Sequence, residues 1–243
     1  MPMAAAGCYH ARMIRLICAV AFVGALPGCG LIDPDITDFD LSLPPKEFVV
    51  DTDQWEIQVQ GDTFPAVDCS ADPGVCSAGA QQLCSGGTCF ASCGADDLCE
   101  VLVLMDLWTT VNLAVEKPEL AEIEGQPIVS VTIDRVWFDV VENTMNIDAP
   151  ELAVYVAPSN VMESGSPQAT RVGTIPVIEA GQTVMDGQME MVPDGEQRLK
   201  DYMKDYRTPF NLIVSGQKTV VAGDPVPMGR FRAVVNVRAT AGI

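Results

Sequence analysis

Apolar and polar residues alternate with a period of two along much of the chain. The longest alternating run extends from Val101 to Val115, and a second clear run extends from Phe231 to Val237. This period places every second side chain on one face, so each run predicts a half-buried β-strand. Shorter runs predict further strands that begin at Phe39, Phe48, Val129, Leu152, Val172 and Thr183.

Two local features refine these predicted strands. Pro44 and Pro45 follow the run that begins at Phe39, and we expect them to end the strand that this run predicts. In the run from Val129, the apolar phase slips at Asp134-Arg135, which predicts a β-bulge or a crossing between two sheets. Both features concern where strands begin, bend and end.

One segment has helical periodicity instead. Asp194 and Gln197 have the spacing of a capping box, and Thr208-Pro209 would end the helix. Between them, one helical face carries Leu199, Tyr202, Met203 and Tyr206. About eight strands with a single helix predict a mainly β chain, namely an antiparallel β-sandwich of immunoglobulin-like architecture, with a small barrel as the alternative.

Residues 1–28 have the features of a signal peptide. Arg12 and Arg15 precede an apolar stretch from Leu16 to Ala25, which is too short to remain as a membrane-spanning helix. The stretch is followed by Leu26-Pro27-Gly28-Cys29, in which an apolar residue stands three positions before the cysteine and a small residue just before it. Met1 and Met13 are both candidate start residues.

The run that ends at Cys29 resembles the lipobox of bacterial lipoproteins. This resemblance implies that Cys29 carries a thioether-linked diacylglyceryl group, that cleavage occurs before it, and that the new amino terminus is acylated. Gly30 is not the aspartate that retains some of these proteins in the inner membrane, so the outer membrane is favoured. The cysteine content is also generally similar to that of uncharacterised Gram-negative envelope lipoproteins. An ordinary secretory signal and an uncleaved anchor are the alternatives.

The alternation stops between residues 64 and 100, where six cysteines are interspersed with Gly, Ala, Ser and Asp. They are Cys69, Cys76, Cys84, Cys89, Cys93 and Cys99. An even number of cysteines outside the cytoplasm, in a segment too poor in apolar residues to form a core, predicts three disulfides. Spacing leaves all fifteen pairings open. A metal site on Cys84, Cys89 and Cys93 and a redox-active pair are the alternatives, but no Cys-x-x-Cys occurs.

These features divide the chain into a signal peptide (1–28), a lipidated tether (29–35) and a β-sandwich domain (36–243) that is interrupted by the disulfide-rich insert (64–100). Of the 14 basic residues, Arg12 and Arg15 leave with the signal, so 12 remain against 33 acidic residues, a formal charge of −21. Such a surface repels nucleic acid. The acyl chains would therefore have to supply the membrane affinity.

The only histidine, His10, lies within the signal peptide. The mature chain therefore cannot form a Ser-His-Asp triad, a Cys-His pair or a metal site built on imidazole. Catalysis would need paired carboxylates or a lysine base. Lys200 and Lys204, one turn apart beside Asp201 and Asp205, are more typical of a salt-bridged helix surface.

Two alternative functions rest on acidic residues. Asp51, Asp53 and Glu56 surround Trp55, a combination found in glycosidase clefts, which would indicate a carboxylate-dependent hydrolase of cell-wall or other polysaccharide. Trp55 is in phase with apolar neighbours, however, and is expected in the core. A calcium-dependent adhesion module is the other alternative, and its candidate ligands are Asp33, Asp35, Asp38, Asp40, Asp96 and Asp97.

We therefore predict a non-catalytic, membrane-anchored envelope lipoprotein without cofactor or metal. Its partner would be a protein or a glycan, bound through the cysteine-rich insert or an aromatic sheet face. Trp108 and Trp137 interrupt the apolar faces of their strands, and large exposed aromatic residues are common anchors of interfaces.

Overall fold

The computed structural model describes residues 38–52, 62–77, 88–121, 123 and 127–243. Within these ranges the chain forms mainly β-strands. The strands are β1 (Asp38–Asp40), β2 (Leu43–Asp51), β3 (Thr88–Cys93), β4 (Cys99–Val111), β5 (Ser130–Asn143), β6 (Leu152–Pro158), β7 (Thr170–Ile175), β8 (Val184–Gln188), β9 (Glu190–Met191), β10 (Phe210–Val220) and β11 (Arg230–Gly242). The helices are α1 (Leu113–Glu116), a 3-10 helix (Pro118–Ala121) and α2 (Pro193–Lys204).

The described strands form two antiparallel sheets. In the five-stranded sheet, β1 and β2 pair along one edge of β11, while β5 pairs along the other edge and is followed by β8. The six-stranded sheet has the order β3-β4-β10-β6-β7-β9. Buried side chains from both sheets, such as Phe138 and Leu212, belong to one hydrophobic core. This arrangement fits the predicted β-sandwich.

Pro44 and Pro45 do not end a strand, so that prediction was wrong. Both residues lie inside β2, which starts at Leu43. Val237 of β11 is opposite Leu43, but Val235 is opposite Lys46, so the pairing register shifts at the two prolines. Proline has no amide hydrogen to donate, and it is tolerated at such a bulge on a strand that pairs along one edge.

The run from Val101 to Val115 is not one strand. β4 ends at Val111, and the short helix α1 follows, where Val115 is 73% exposed. The Glu116 carboxylate accepts hydrogen bonds from the Asn112 amide at 3.1 Å and from the Lys46 ammonium at 2.7 Å. These contacts favour a turn after β4, which the alternating pattern did not reveal.

The predicted phase slip at Asp134 is confirmed. Arg135 is opposite Arg238 of β11, whereas Ile133 is opposite the next residue, Ala239. Asp134 is therefore the additional residue of a bulge in β5. Beyond it, Val136, Phe138 and Val140 are buried.

The predicted helix is present, but its capping box is not. α2 begins at Pro193, its N-cap is Val192, and no described side chain caps its amino terminus. Proline suits the first helical position because its missing amide hydrogen would have no partner there. The helix ends at Lys204, before Thr208.

Candidate functional site

Two disulfides join the described part of the cysteine-rich insert. Cys69 pairs with Cys93, and Cys76 pairs with Cys99, with Cα–Cα distances of 5.8 and 5.3 Å. Cys89 is disulfide-bonded as well. These bonds confirm that the insert contains disulfides.

Cys84 and the lipobox residue Cys29 lie outside the described residues. The sulfurs of Cys69, Cys76 and Cys99 lie within 4.8 Å of one another, as metal ligands would. All three are engaged in disulfides, however, and a disulfide sulfur is not the thiolate that zinc or iron binds.

The insert supplies the edge strand of the six-stranded sheet. β3 pairs with β4 from Thr88, opposite Leu104, to Cys93, opposite Cys99. The two disulfides tie the end of this hairpin to the segment around Asp68, which itself forms a β-bridge with Leu98. The hairpin and its neighbouring loop are therefore covalently joined.

A row of large apolar side chains lies on the outer side of this hairpin. We call it the aromatic face, and it consists of Phe90, Leu102, Leu104 and Trp108. Phe90 is directly opposite Leu102, and alternate residues of β4 share a face, so the four side chains point to the same side. Phe90 is 56% exposed and Trp108 is 45% exposed. From Leu102 to Trp108 the row is about 20 Å long.

A loop borders the aromatic face on its β10 side and reaches Asp106, which lies between Leu104 and Trp108 on the same face of β4. The Ser164 amide donates a hydrogen bond to the Asp106 carboxylate at 3.0 Å, and the hydroxyls of Ser164 and Ser215 are 2.9 Å apart. Ile213, the residue opposite Trp108, is fully buried in a small cluster with Val161. Trp108 is therefore the last exposed apolar residue of the row on β4.

Trp137 has a different environment from Trp108. It lies on the outer face of the five-stranded sheet, where the guanidinium carbons of Arg135 and Arg238 are 5.1 and 5.7 Å from its ring centroid. Arg135 also forms a 2.8 Å ion pair with Asp186. The ring is half-buried between these cations, so Trp108 is the more available anchor.

An apolar cavity of about 120 Å³ lies between the two sheets. Phe48 and Phe231 line it from the five-stranded sheet, and Val103 and Val214 line it from the six-stranded sheet. The cavity is partly open to solvent. An apolar cavity of this kind, with a few polar groups at its mouth, is a candidate binding site.

A polar pocket adjoins the apolar cavity. It shares Asp148 and Lys218 with the cavity and adds Asp224, and its volume is about 280 Å³. Asp148 accepts a hydrogen bond from the Ala180 amide at 2.8 Å, and Asp224 accepts one from the Val221 amide at 3.0 Å. Among the described residues, none forms an ion pair with Lys218. The apolar cavity therefore has a polar mouth with one available cation.

Within the described ranges, the acidic residues singled out in the sequence form no cluster that could hold a metal ion. Asp51 lies in β2, while Asp53, Trp55, Glu56, Asp33 and Asp35 lie outside the described residues. The Asp40 carboxylate accepts hydrogen bonds from Lys117 at 2.7 Å and from Ser42 at 2.6 Å. Burial alone would raise the pKa of Asp40, but these hydrogen bonds outweigh it and lower the pKa.

Asp68 and Asp96 of the cysteine-rich insert likewise form local hydrogen bonds. The Leu98 amide donates to Asp96, and the Ser70 hydroxyl and amide both donate to Asp68. The hydrogen bonds from Ser70 lower the pKa of Asp68. On the helix, Lys200 pairs with Glu196 at 2.6 Å, one turn away, in a surface ion pair.

The cavity was not found from the sequence, because its lining comes from strands far apart in the chain. Gly216 lines the cavity, but a Cβ there would meet the Leu152 side chain at 2.8 Å, so the missing side chain does not account for the space. Among the described residues, no helix is long and apolar enough to cross a membrane. Comparisons of the chain with protein-family models, with curated proteins and with solved structures gave no match.

Proposed function

We propose that this chain is a non-catalytic lipoprotein of the bacterial cell envelope, anchored through Cys29, that binds a protein partner by its aromatic face. The observation that carries the binding proposal is the exposure of Phe90 and Trp108 on one side of a disulfide-stapled hairpin. The cysteine-rich insert and the aromatic sheet face, which the sequence offered as alternatives, thus become parts of one surface.

The chemistry of this face suits a protein partner. Tryptophan and other large aromatic side chains supply much of the binding energy of protein interfaces. Because disulfides hold the hairpin, it loses little conformational entropy on binding, and the binding free energy is more favourable for that reason. The strongly acidic chain favours a partner whose contact surface is apolar with basic residues at its rim.

The carboxylates support a non-catalytic role. General acid or base catalysis near neutral pH requires a carboxyl group whose pKa is raised towards 7. The two clear pKa shifts among the described carboxylates, at Asp40 and Asp68, are both downward. Such groups stay ionised at neutral pH and serve local structure.

Anchoring through Cys29 rests on the lipobox resemblance, and it has a direct test. In cells, Cys29→Ser should move the protein from the membrane fraction to the soluble fraction, and labelled palmitate should enter the wild type alone. Ser is nearly isosteric with Cys but cannot form the thioether. Continued membrane association of unlabelled Cys29→Ser protein would contradict the anchor.

We also propose that the two sheets form an immunoglobulin-like sandwich. Support comes from their antiparallel pairing and from connections that pass between the sheets, from β4 to β5 and from β10 to β11. An experimental structure compared strand by strand with immunoglobulin topology is the test. A different strand order would leave the sandwich and exclude this finer class.

The partner is tested by site-specific photocrosslinking in intact cells. A photoreactive residue at Leu102, within the aromatic face, should give a discrete crosslinked protein band. Met185, which is 69% exposed on β8 of the other sheet, is the control position. Phe90→Ser and Trp108→Ser should each weaken the Leu102 crosslink severalfold. Equal bands from both positions, or retention by polysaccharide without any protein band, would contradict the proposal.

A further inference from the structure

We infer that the two disulfides at the end of the hairpin form a site for thiol–disulfide exchange, at which a small thiol changes the pairing of their four cysteines. In the pairing that the structure shows, Cys69–Cys93 and Cys76–Cys99 tie the hairpin of β3 and β4 to the preceding loop. In the alternative pairing, Cys69–Cys76 closes the loop on itself and Cys93–Cys99 closes the hairpin on itself. The exchange therefore unties the hairpin from the loop.

The register of the hairpin already suits a bond between Cys93 and Cys99. The two residues are directly opposite each other in the antiparallel pair of β3 and β4. The Gly94 amide donates to the Leu98 carbonyl, while the Cys99 amide donates out of the hairpin to the Val67 carbonyl at 2.9 Å. Cys93 and Cys99 are therefore a non-hydrogen-bonded pair, whose Cα atoms are typically about 4.5 Å apart. A disulfide spans this separation.

The sulfurs of the two disulfides are close enough to exchange partners. Those of Cys69, Cys76 and Cys99 lie within 4.8 Å of one another, although Cys69 belongs to a different disulfide from the other two. Disulfides exchange by attack of a thiolate on a disulfide sulfur. A thiolate released at Cys69 is therefore formed beside the disulfide that it has to attack.

Burial determines where the reaction begins. Cys69 is 1% exposed and Cys76 is 2% exposed, whereas Cys93 and Cys99 are partly exposed. An incoming thiolate therefore reaches the sulfurs on the hairpin and not those on the loop. Attack on Cys93 releases Cys69, the buried sulfur that lies beside the second disulfide.

The exchange takes three steps. The thiolate RS⁻ attacks the Cys93 sulfur, forms a mixed disulfide there and breaks the bond to Cys69, which leaves as a thiolate. Cys69 attacks the Cys76 sulfur, forms Cys69–Cys76 and releases Cys99 as a thiolate. Cys99 attacks the Cys93 sulfur of the mixed disulfide, forms Cys93–Cys99 and expels RS⁻. Two protein disulfides are present before and after, so the thiol is a catalyst and no oxidant or reductant is consumed.

Disulfide mapping tests the exchange in the full-length chain. Cys8→Ser, Cys18→Ser and Cys29→Ser together leave only the six cysteines of the insert, so this test does not depend on lipidation. The protein is incubated without oxygen with 2-mercaptoethanol in less than one equivalent, and its remaining thiols are then alkylated. Digestion before aspartate separates the cysteines, because Asp72 lies within the loop and Asp96 lies within the hairpin.

Mass spectrometry of these peptides distinguishes the pairings. We expect Cys69–Cys76 and Cys93–Cys99 to appear after thiol treatment and to be absent without it. Cys89 is disulfide-bonded outside these two disulfides, and it should keep its partner. Persistence of the original pairs alone, the pairing Cys69–Cys99 with Cys76–Cys93, or general shuffling that includes Cys89 would overturn the inference.

Two single variants should converge on the same new bond. Cys76→Ser leaves a thiol at Cys99 beside the Cys69–Cys93 bond, and Cys69→Ser leaves a thiol at Cys93 beside the Cys76–Cys99 bond. In each case the thiol lies opposite a disulfide-bonded cysteine of the hairpin, so both variants should contain Cys93–Cys99. Circular dichroism checks that each variant folds, and either one suffices for the test. Retention of only the original bond in a folded variant would contradict the inference.

Hydrogen exchange measures whether the hairpin is untied. The Cys69 amide donates to the Asp97 carbonyl at 2.8 Å, and the Cys99 amide donates to the Val67 carbonyl, so both hydrogen bonds join the loop to the hairpin. In the exchanged form, separated by chromatography, these two amides should exchange hydrogen about tenfold faster, because local opening is no longer limited by a covalent bond. Equal protection in the two forms would show that the new pairing does not untie the hairpin.

The effect on partner binding rests on the proposed function. Phe90 lies on this hairpin, so thiol treatment of intact cells should weaken the Leu102 photocrosslink severalfold. If the mapping shows the exchange but the crosslink is unchanged, the exchange does not regulate the aromatic face. If no crosslink forms even without thiol, the proposed partner is refuted, while the mapping result still decides the exchange.

Discussion

Replacing Gly195 of α2 by alanine tests whether helix propensity or tertiary packing decides the stability of this region. From propensity alone, alanine in a helix is about 1 kcal/mol more favourable than glycine. In the structure, however, Gly195 is buried against β7. An added Cβ would overlap the carbonyl oxygen of Arg171 and lie only 2.5 Å from the Cα of Val172.

The overlap is with backbone, so rotation of a side chain cannot relieve it. Either α2 or β7 must move, and overpacking of this kind costs about 1 to 3 kcal/mol. We take the upper end because the obstructing atoms belong to a strand. The gain in helix propensity of about 1 kcal/mol offsets part of this overpacking cost. We therefore expect Gly195→Ala to lower the free energy of unfolding by about 2 kcal/mol.

Urea unfolding followed by circular dichroism measures this change, provided that the transition is two-state. A loss of about 2 kcal/mol corresponds to a melting temperature lower by roughly 4 to 8 °C for a domain of this size. Gln197→Ala, at an exposed position of the same helix, is the control and should change stability by less than about 0.5 kcal/mol. A Gly195→Ala protein as stable as the wild type would refute the packing argument.

Three further predictions concern stability. The double variant Cys69→Ser/Cys93→Ser should have a free energy of unfolding lower by about 3 kcal/mol, because the disulfide closes a loop with a sequence separation of 24. A decrease of less than about 1 kcal/mol in chemical denaturation would contradict this prediction. Lys46→Met should lower the free energy of unfolding by about 2 kcal/mol, since it removes the ion-pair partner of the mostly buried Glu116 carboxylate and leaves it only the Asn112 amide. Adding Glu116→Leu should recover most of that loss in a double-mutant cycle. The pKa of Asp40 is lowered in the folded state, so its stabilising effect is present above the unfolded-state pKa and is lost as the pH falls below 3.8. Asp40→Asn should therefore have a slightly lower melting temperature than the wild type at pH 7 and the same melting temperature near pH 2. A difference in melting temperature that does not change across this range would show that ionisation is not involved.

Much of the secondary structure follows from the sequence, because alternation and helical periodicity depend only on neighbouring residues. Examples are the strands predicted from Val129 and from Phe231, which correspond to β5 and β11, the bulge at Asp134, and the buried helix face with Leu199 and Met203. The presence of disulfides could be predicted for a similar reason, since it depends on cysteine number and composition.

The predictions that failed concern local patterns that tertiary contacts override. Pro44 and Pro45 remain within a strand because β11 pairs on both sides of the bulge that contains them. α1 interrupts the alternating run because Glu116 finds partners in the turn and in β2. Both outcomes depend on residues far away in the chain.

The pairing of the cysteines and both candidate binding surfaces depend on the tertiary structure alone. The register of β3 against β4 places Cys93 opposite Cys99, and each then bonds to a different cysteine of the preceding loop. The same register aligns Phe90 with Leu102, and the packing of two sheets creates the cavity. Periodicity assigns a residue to one face of its own strand, but only long-range pairing determines which strands adjoin it and where a void remains between the sheets.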